Sequence, residues 1–157
     1  MLGSAVSQRA TTSTSALNSV GCYYTQANGS GIELRRFKLY DFTVGSDATP
    51  ADVAITWLVG RVNTAAPTGG TSSNPNPLDA ADAAMSTLGM QAATAGPTAG
   101  VTLMEFALNQ RATFRWIAAP GSELVVPATA SNGLQFLTPE LVGGTPSCWV
   151  QVYINEL

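Results

Sequence analysis

Apolar and polar residues alternate with period two along much of this chain, the pattern of strands whose two faces meet different surroundings. Val20, Cys22 and Tyr24 alternate with Ser19, Gly21, Tyr23 and Thr25. Near the C-terminus Cys148, Val150, Val152 and Ile154 form one stripe, and Trp149, Gln151, Tyr153 and Asn155 the other. Between them, residues 32–44 change phase. Phe37 and Leu39 lie on one face, whereas Tyr40, Phe42 and Val44 fall on the phase of Ile32 and Leu34. A slip of this kind suggests either a bulge or a strand buried on both faces. Further strands are expected at 53–63, 86–94, 101–108, 113–118, 124–128, 133–138 and 147–155. Turn residues separate most of them: Asn28-Gly29-Ser30-Gly31, Gly45 to Asp52 with Pro50, Ala95 to Gly100, Pro120 to Ser122, Ser131-Asn132 and Gly143 to Pro146.

Two stretches depart from this rhythm. Residues 1–15 are rich in Ser, Thr and Ala and have little to bury, so they read as a flexible arm preceding a single domain at 16–157. Residues 64–77 form a long loop with Pro67, Pro75 and Pro77. Asp79 is placed to cap a short helix over 80–85. About nine strands at this spacing predict an all-β domain, a β-sandwich rather than βαβ units. The jelly roll fits the count and accommodates one long Pro/Gly-rich loop carrying a short helix. An immunoglobulin-like sandwich is smaller and leaves the extra length unexplained.

Composition changes what such a domain is suited to. Only 11% of the 157 residues are charged, against 45% hydrophobic, less than half the charged share of about 25% usual in globular proteins. The surface must therefore be largely neutral and polar, as in a protein that sits among neighbours in an assembly or is extracellular. The net charge of −3 and the single small basic cluster (Arg35, Arg36, Lys38) argue against nucleic acid as a partner. No apolar run approaches the roughly 20 residues that span a bilayer, so no membrane partner is expected. Cys22 and Cys148, each in an apolar strand-like run, are expected as buried thiols, with a bridge between terminal strands as the alternative.

Candidate chemistry is sparse. The chain has no histidine, which removes Ser-His-Asp and Cys-His activation and the commonest transition-metal ligand. Its one lysine, Lys38, lies far from any phosphate-cradling glycine loop. Asp41, Asp47, Asp52, Asp79, Asp82, Glu105 and Glu123 leave a carboxylate pair for glycoside hydrolysis open, but without a defining motif. The chain is read as a non-enzyme with no cofactor and no metal site. Asp47 and Asp52 are expected to bond local backbone N–H groups beside Pro50. The densest signal is NQRATFRWIAAPGSELVV at 109–126. It reads either as a hairpin with Arg115 and Glu123 paired across it, or as a subunit interface rich in arginine and aromatic residues. The candidate interface residues are Arg111, Phe114, Arg115, Trp116, Trp149 and Tyr153.

Three segments occur in order: GSDATPADVAITWLVGRV (45–62), NPNPLDAADAAM (74–85) and NQRATFRWIAAPGSELVVPAT (109–129). Together they resemble small head proteins of tailed bacteriophages, of the kind that act as capsid cement or decoration proteins. The resemblance covers about 45–129 and weakens toward both ends. It implies a jelly-roll-like domain, a homotrimer on the outside of an icosahedral shell and the major capsid protein as partner. It also implies location on the virion surface after assembly in the host cytoplasm. A carbohydrate- or receptor-binding β-sandwich is the other reading, motivated by the strand tryptophans.

Overall fold

A computed structural model describes residues 2–11, 18–25, 34–63, 65–93, 99–139 and 145–157. The expected turn at 28–31 lies outside these residues, as do 95–98 of the turn expected at 95–100 and 143–144 of that expected at 143–146; Gly100, Thr145 and Pro146 are strand residues instead. The chain is all-β, with two antiparallel six-stranded sheets. The first sheet runs in the order β10 (Leu124–Val126), β3 (Phe37–Thr49), β12 (Thr145–Glu156), β1 (Leu2–Thr11), β6 (Asn76–Pro77), with β9 (Phe114–Ile117) also on β3. The second runs β5 (Thr71–Ser72), β7 (Thr87–Ala93), β2 (Asn18–Thr25), β11 (Gly133–Thr138), β4 (Ala54–Val62), β8 (Ala99–Asn109).

The sheets pack face to face because β2, β3, β4, β11 and β12 turn apolar side chains inward. Phe37, Leu39, Phe42 and Val44 of β3 and Cys148, Val150, Val152 and Ile154 of β12 meet Val20 and Tyr23 of β2, Ile55, Trp57 and Val59 of β4, and Leu134 and Phe136 of β11. The result is a β-sandwich. Early strands pair with late ones in a nested series: β1 with β12, β2 with β11, β3 with β9 and β10, β4 with β8. On the outer side of the second sheet Ala66, beyond β4, packs with Cys22, Tyr24, Val62, Leu88 and Met90, so the Pro-rich segment is partly core.

The phase slip in β3 is a bulge. The β12 register passes from Tyr153 opposite Asp41 to Ile154 opposite Leu39, leaving Tyr40 unmatched. Three expectations are corrected. Residues 2–11, expected in a flexible arm, form β1 and pair along their whole length with β12, and Ser4 and Ala5 also pair with β6. Backbone pairing needs no apolar alternation, so this strand carries little signal in its sequence. The short helix is a single turn in which Asp79 accepts from Ala81 N at 2.9 Å and Asp82 N bonds Asp79 O at 3.1 Å. Among the described residues there is no helix. Third, β9 and β10 do not form a hairpin with each other. Both lie antiparallel on β3, opposite residues 41–44 and 37–39, as two halves of one interrupted edge strand. The Pro120-Gly121 turn (Gly121 φ 84°, Ser122 N to Ala119 O 2.9 Å) bulges out between them.

Candidate functional site: the outer face of the first sheet

Because Phe42 and Val44 of β3 point inward, Asp41 and Thr43 point outward, and their neighbours on β9 and β12 follow the same parity. Two rows cross the sheet. Ile117, Asp41 and Tyr153 form one; Arg115, Thr43 and Gln151 form the next. Beyond them Trp149 stands opposite Gly45. A Cβ on Gly45 would lie 2.8 Å from Trp149 Cζ2, so only glycine lets the indole rest on the sheet there.

Of the six residues singled out by sequence, Arg115, Trp149 and Tyr153 are brought together on this face. Phe114 and Trp116, on the opposite parity of β9, turn to the core side. The Trp116 ring stacks on Phe42 at 5.4 Å, and Phe114 lies 4.5 Å from Phe106. Arg111 is exposed in the β8–β9 turn, where its N–H donates to Asn109 Oδ1 at 2.9 Å. Sequence reasoning missed Gln151, Ile117 and the role of Asp41. Gln151 shares the phase of Trp149 and Tyr153 and was within reach of the pattern. The pairing of Asp41 with Arg115 was not.

Arg115 grips Asp41 in a fork, Nε to Oδ1 at 3.0 Å and Nη2 to Oδ2 at 2.5 Å. The Asp41 side chain is 7% exposed and that of Arg115 58%. The hydrogen bond to Asp41, and then its charge, raise the Arg115 pKa further above the ordinary guanidinium value. Glu123, which sequence alone set opposite Arg115, instead accepts from Gly121 N at 3.2 Å and lies 3.9 Å from Lys38 Nζ. The hydrogen bond from its own backbone N–H, then that from Gly121 N, with Lys38 a smaller influence, lower its pKa.

Beside the fork, Gln151 Nε2 donates to the Tyr153 hydroxyl at 2.9 Å, and the Tyr153 ring lies 6.3 Å from Tyr40. Burial first, and the nearby Asp41 and Tyr153 next, raise the Tyr40 pKa. Ile117 is 61% exposed. These residues thus form an amphipathic patch: an ion pair, aromatic rings, an amide and an isoleucine.

The remaining carboxylates with mapped contacts serve the fold. Asp52 accepts from Asn109 Nδ2 at 2.8 Å rather than from local backbone as expected. Glu156, which sequence reasoning passed over, is buried and accepts from Ser86 and Thr87. Both cysteines are buried thiols, and burial pushes the Cys22 thiol up. Among the described residues no three His, Cys, Asp or Glu gather as metal ligands would.

No protein-family model, curated protein or solved structure matches the chain.

Proposed function

We propose that this chain is a structural protein of a bacteriophage virion, a capsid cement that binds the outside of the major capsid protein shell as a trimer and stabilises it. The outer face of the first sheet carries this reading. Trp149, Tyr153 and Arg115 are of the types that dominate binding energy at protein interfaces, and Ile117 adds exposed apolar surface beside them. Within the fork each charge compensates the other, so neither Asp41 nor Arg115 is left unpaired when that part of the face is covered. The scarcity of charge elsewhere and the resemblance over about 45–129 favour the same role. The nested pairing of early with late strands supports reading the sandwich as a jelly roll, an architecture used by viral capsid domains.

The test is sedimentation of the purified protein with undecorated phage heads. Saturable co-sedimentation, lost in Ile117→Asp and Tyr153→Ala, is the expected result. Absence of co-sedimentation at saturating protein overturns the proposal.

One observation favours a second reading. Trp149, Gln151 and Tyr153 line one strand face with an amide between two aromatic rings, a combination suited to stacking and hydrogen bonding a sugar. A glycan array with bound sugars and a tryptophan emission change would select that reading over the first.

A further inference from the structure

Sheet edges invite other strands, and folds usually blunt them. Here the blunting is uneven. The first sheet ends on one side in β9 and β10, of four and three residues, interrupted by Pro120. On its other side it ends in β6, which contains Pro77, and in β1, which carries Arg9. The second sheet ends at β5, whose continuation covers β7 further: Ser73 N donates to Gly89 O at 2.8 Å, and Gly89 N to Asn74 Oδ1 at 3.2 Å. The opposite edge is β8, 11 residues long with no proline, no basic residue and only Glu105 charged. Among the described residues it pairs with β4 alone.

Two bulges shape β8. Met104 pairs with Val59 and Thr102 with Gly60, so Leu103 is unmatched; Gly100 is unmatched in the same way between Ala99 and Val101. Beyond them, Met104 to Asn109 runs regularly against Val59 to Ala54. In this regular stretch Met104, Phe106 and Leu108 pack toward the core yet stay half-buried, while Glu105 and Ala107 are exposed. The open edge thus coincides with an unfinished strip of core.

We infer that β8 pairs with β8 of a second copy of this chain, antiparallel across a two-fold axis at Phe106. Such a contact is isologous and closes on itself. In that register Met104 faces the partner's Leu108, Phe106 faces the partner's Phe106, and Glu105 faces the partner's Ala107. Apolar residues then continue the inner face from one sheet to the next, and no Glu105 stands directly opposite another. A one-residue slip would set inward residues opposite outward ones. A two-residue slip toward the N-terminus would oppose the two Glu105 side chains and draw the Leu103 bulge into the ladder. The occupant is a second copy because this stretch is complementary to itself in apolar pattern and parity, in a register that sets its one charged residue, Glu105, opposite an alanine. The contact is independent of head binding, and it is two-fold, so it adds to any three-fold assembly rather than replacing it.

Sedimentation equilibrium of the isolated chain is expected to give an even number of copies, two or six. A monomer or a trimer at high micromolar concentration overturns the inference. The register is tested by mixing a tagged Glu105→Cys chain with an untagged Ala107→Cys chain under mild oxidation. A covalent heterodimer well above the homodimer yield of either variant alone is the expected result. Equal yields, or none, overturn it. Circular dichroism of both variants shows that the fold is intact, and Cys22 and Cys148 are buried and do not compete. Failure to bind phage heads leaves these outcomes unchanged.

Discussion

Glu156, one residue from the C-terminus, holds Thr87 at the start of β7 through a single carboxylate oxygen: Oε1 accepts from Thr87 N at 2.8 Å and from Thr87 Oγ1 at 2.9 Å. The same carboxylate accepts from Ser86 N at 2.9 and 3.1 Å and from Ser86 Oγ at 2.7 Å. Arg35 stands 3.8 Å away at the solvent side. One side chain therefore ties the last strand of the first sheet to the outer part of the second.

Removing it strands several buried donors, which costs more than the bonds themselves contribute. Glu156→Ala is expected to destabilise the protein by about 3 kcal/mol, lowering the melting temperature by roughly 6–12 °C. Glu156→Gln keeps an acceptor oxygen and should lose less. Chemical denaturation of both variants checks the ranking.

The Asp41–Arg115 fork predicts an asymmetry. Arg115→Ala leaves a nearly buried carboxylate without its partner, whereas Asp41→Asn leaves a largely exposed guanidinium that water can solvate. Arg115→Ala should destabilise more, and the double variant should cost less than the two singles summed. A double-mutant cycle by urea denaturation measures this.

Stability should fall in alkali. Burial raises the Cys22 thiol above its ordinary 9.0 and the Tyr23 phenol well above its ordinary 10.0. Below those ordinary values both groups are protonated in the folded and unfolded chain alike, and their contribution is fully present. Above them the unfolded chain releases protons that the folded one retains, so the unfolding free energy declines by up to about 1.4 kcal/mol per pH unit for each group. Denaturation at pH 8, 10 and 11 should show the decline, and Cys22→Ala should make it shallower. For the same reason Cys22 should resist thiol reagents at pH 8 until the protein is unfolded.

Gly45→Ala should displace the Trp149 indole, whose Cζ2 lies 2.8 Å from where the new methyl would be. The expected cost is about 1–3 kcal/mol, with a change in tryptophan emission. In a Trp149→Ala background the same substitution should cost much less. An equal cost in both backgrounds would show that the indole does not rest there.

Much of the fold was legible because strand parity is a local property. The stripes of β12 placed Trp149 and Tyr153 outward without any coordinates; the phase slip after Leu39 left open a bulge or a strand buried on both faces, and the structure shows the bulge, at Tyr40. Partners distant in sequence were not legible. The Pro120-Gly121 turn promised a hairpin with Arg115 facing Glu123, but β9 and β10 lie in succession on β3, and Arg115 reaches back 74 positions to Asp41. β1 gave no warning either. Its pairing is made by backbone groups that every residue carries.

From the sequence alone follow the all-β class, an alternation that sorts core from surface in β12 but not in β2, where Val20 and Tyr23 share the main core and Cys22 and Tyr24 lie apart from it, and a chain without histidine and poor in charge. Those are sums over residues or relations between near neighbours, and they survive any arrangement of the strands. Only the tertiary structure decided which strands lie side by side. With that came the Asp41–Arg115 fork on the outer face, the Glu156 clamp between sheets, and the place of β8 at a sheet edge, paired with β4 alone among the described residues. Each joins residues far apart along the chain, and such contacts exist only once a particular strand order has brought them within reach.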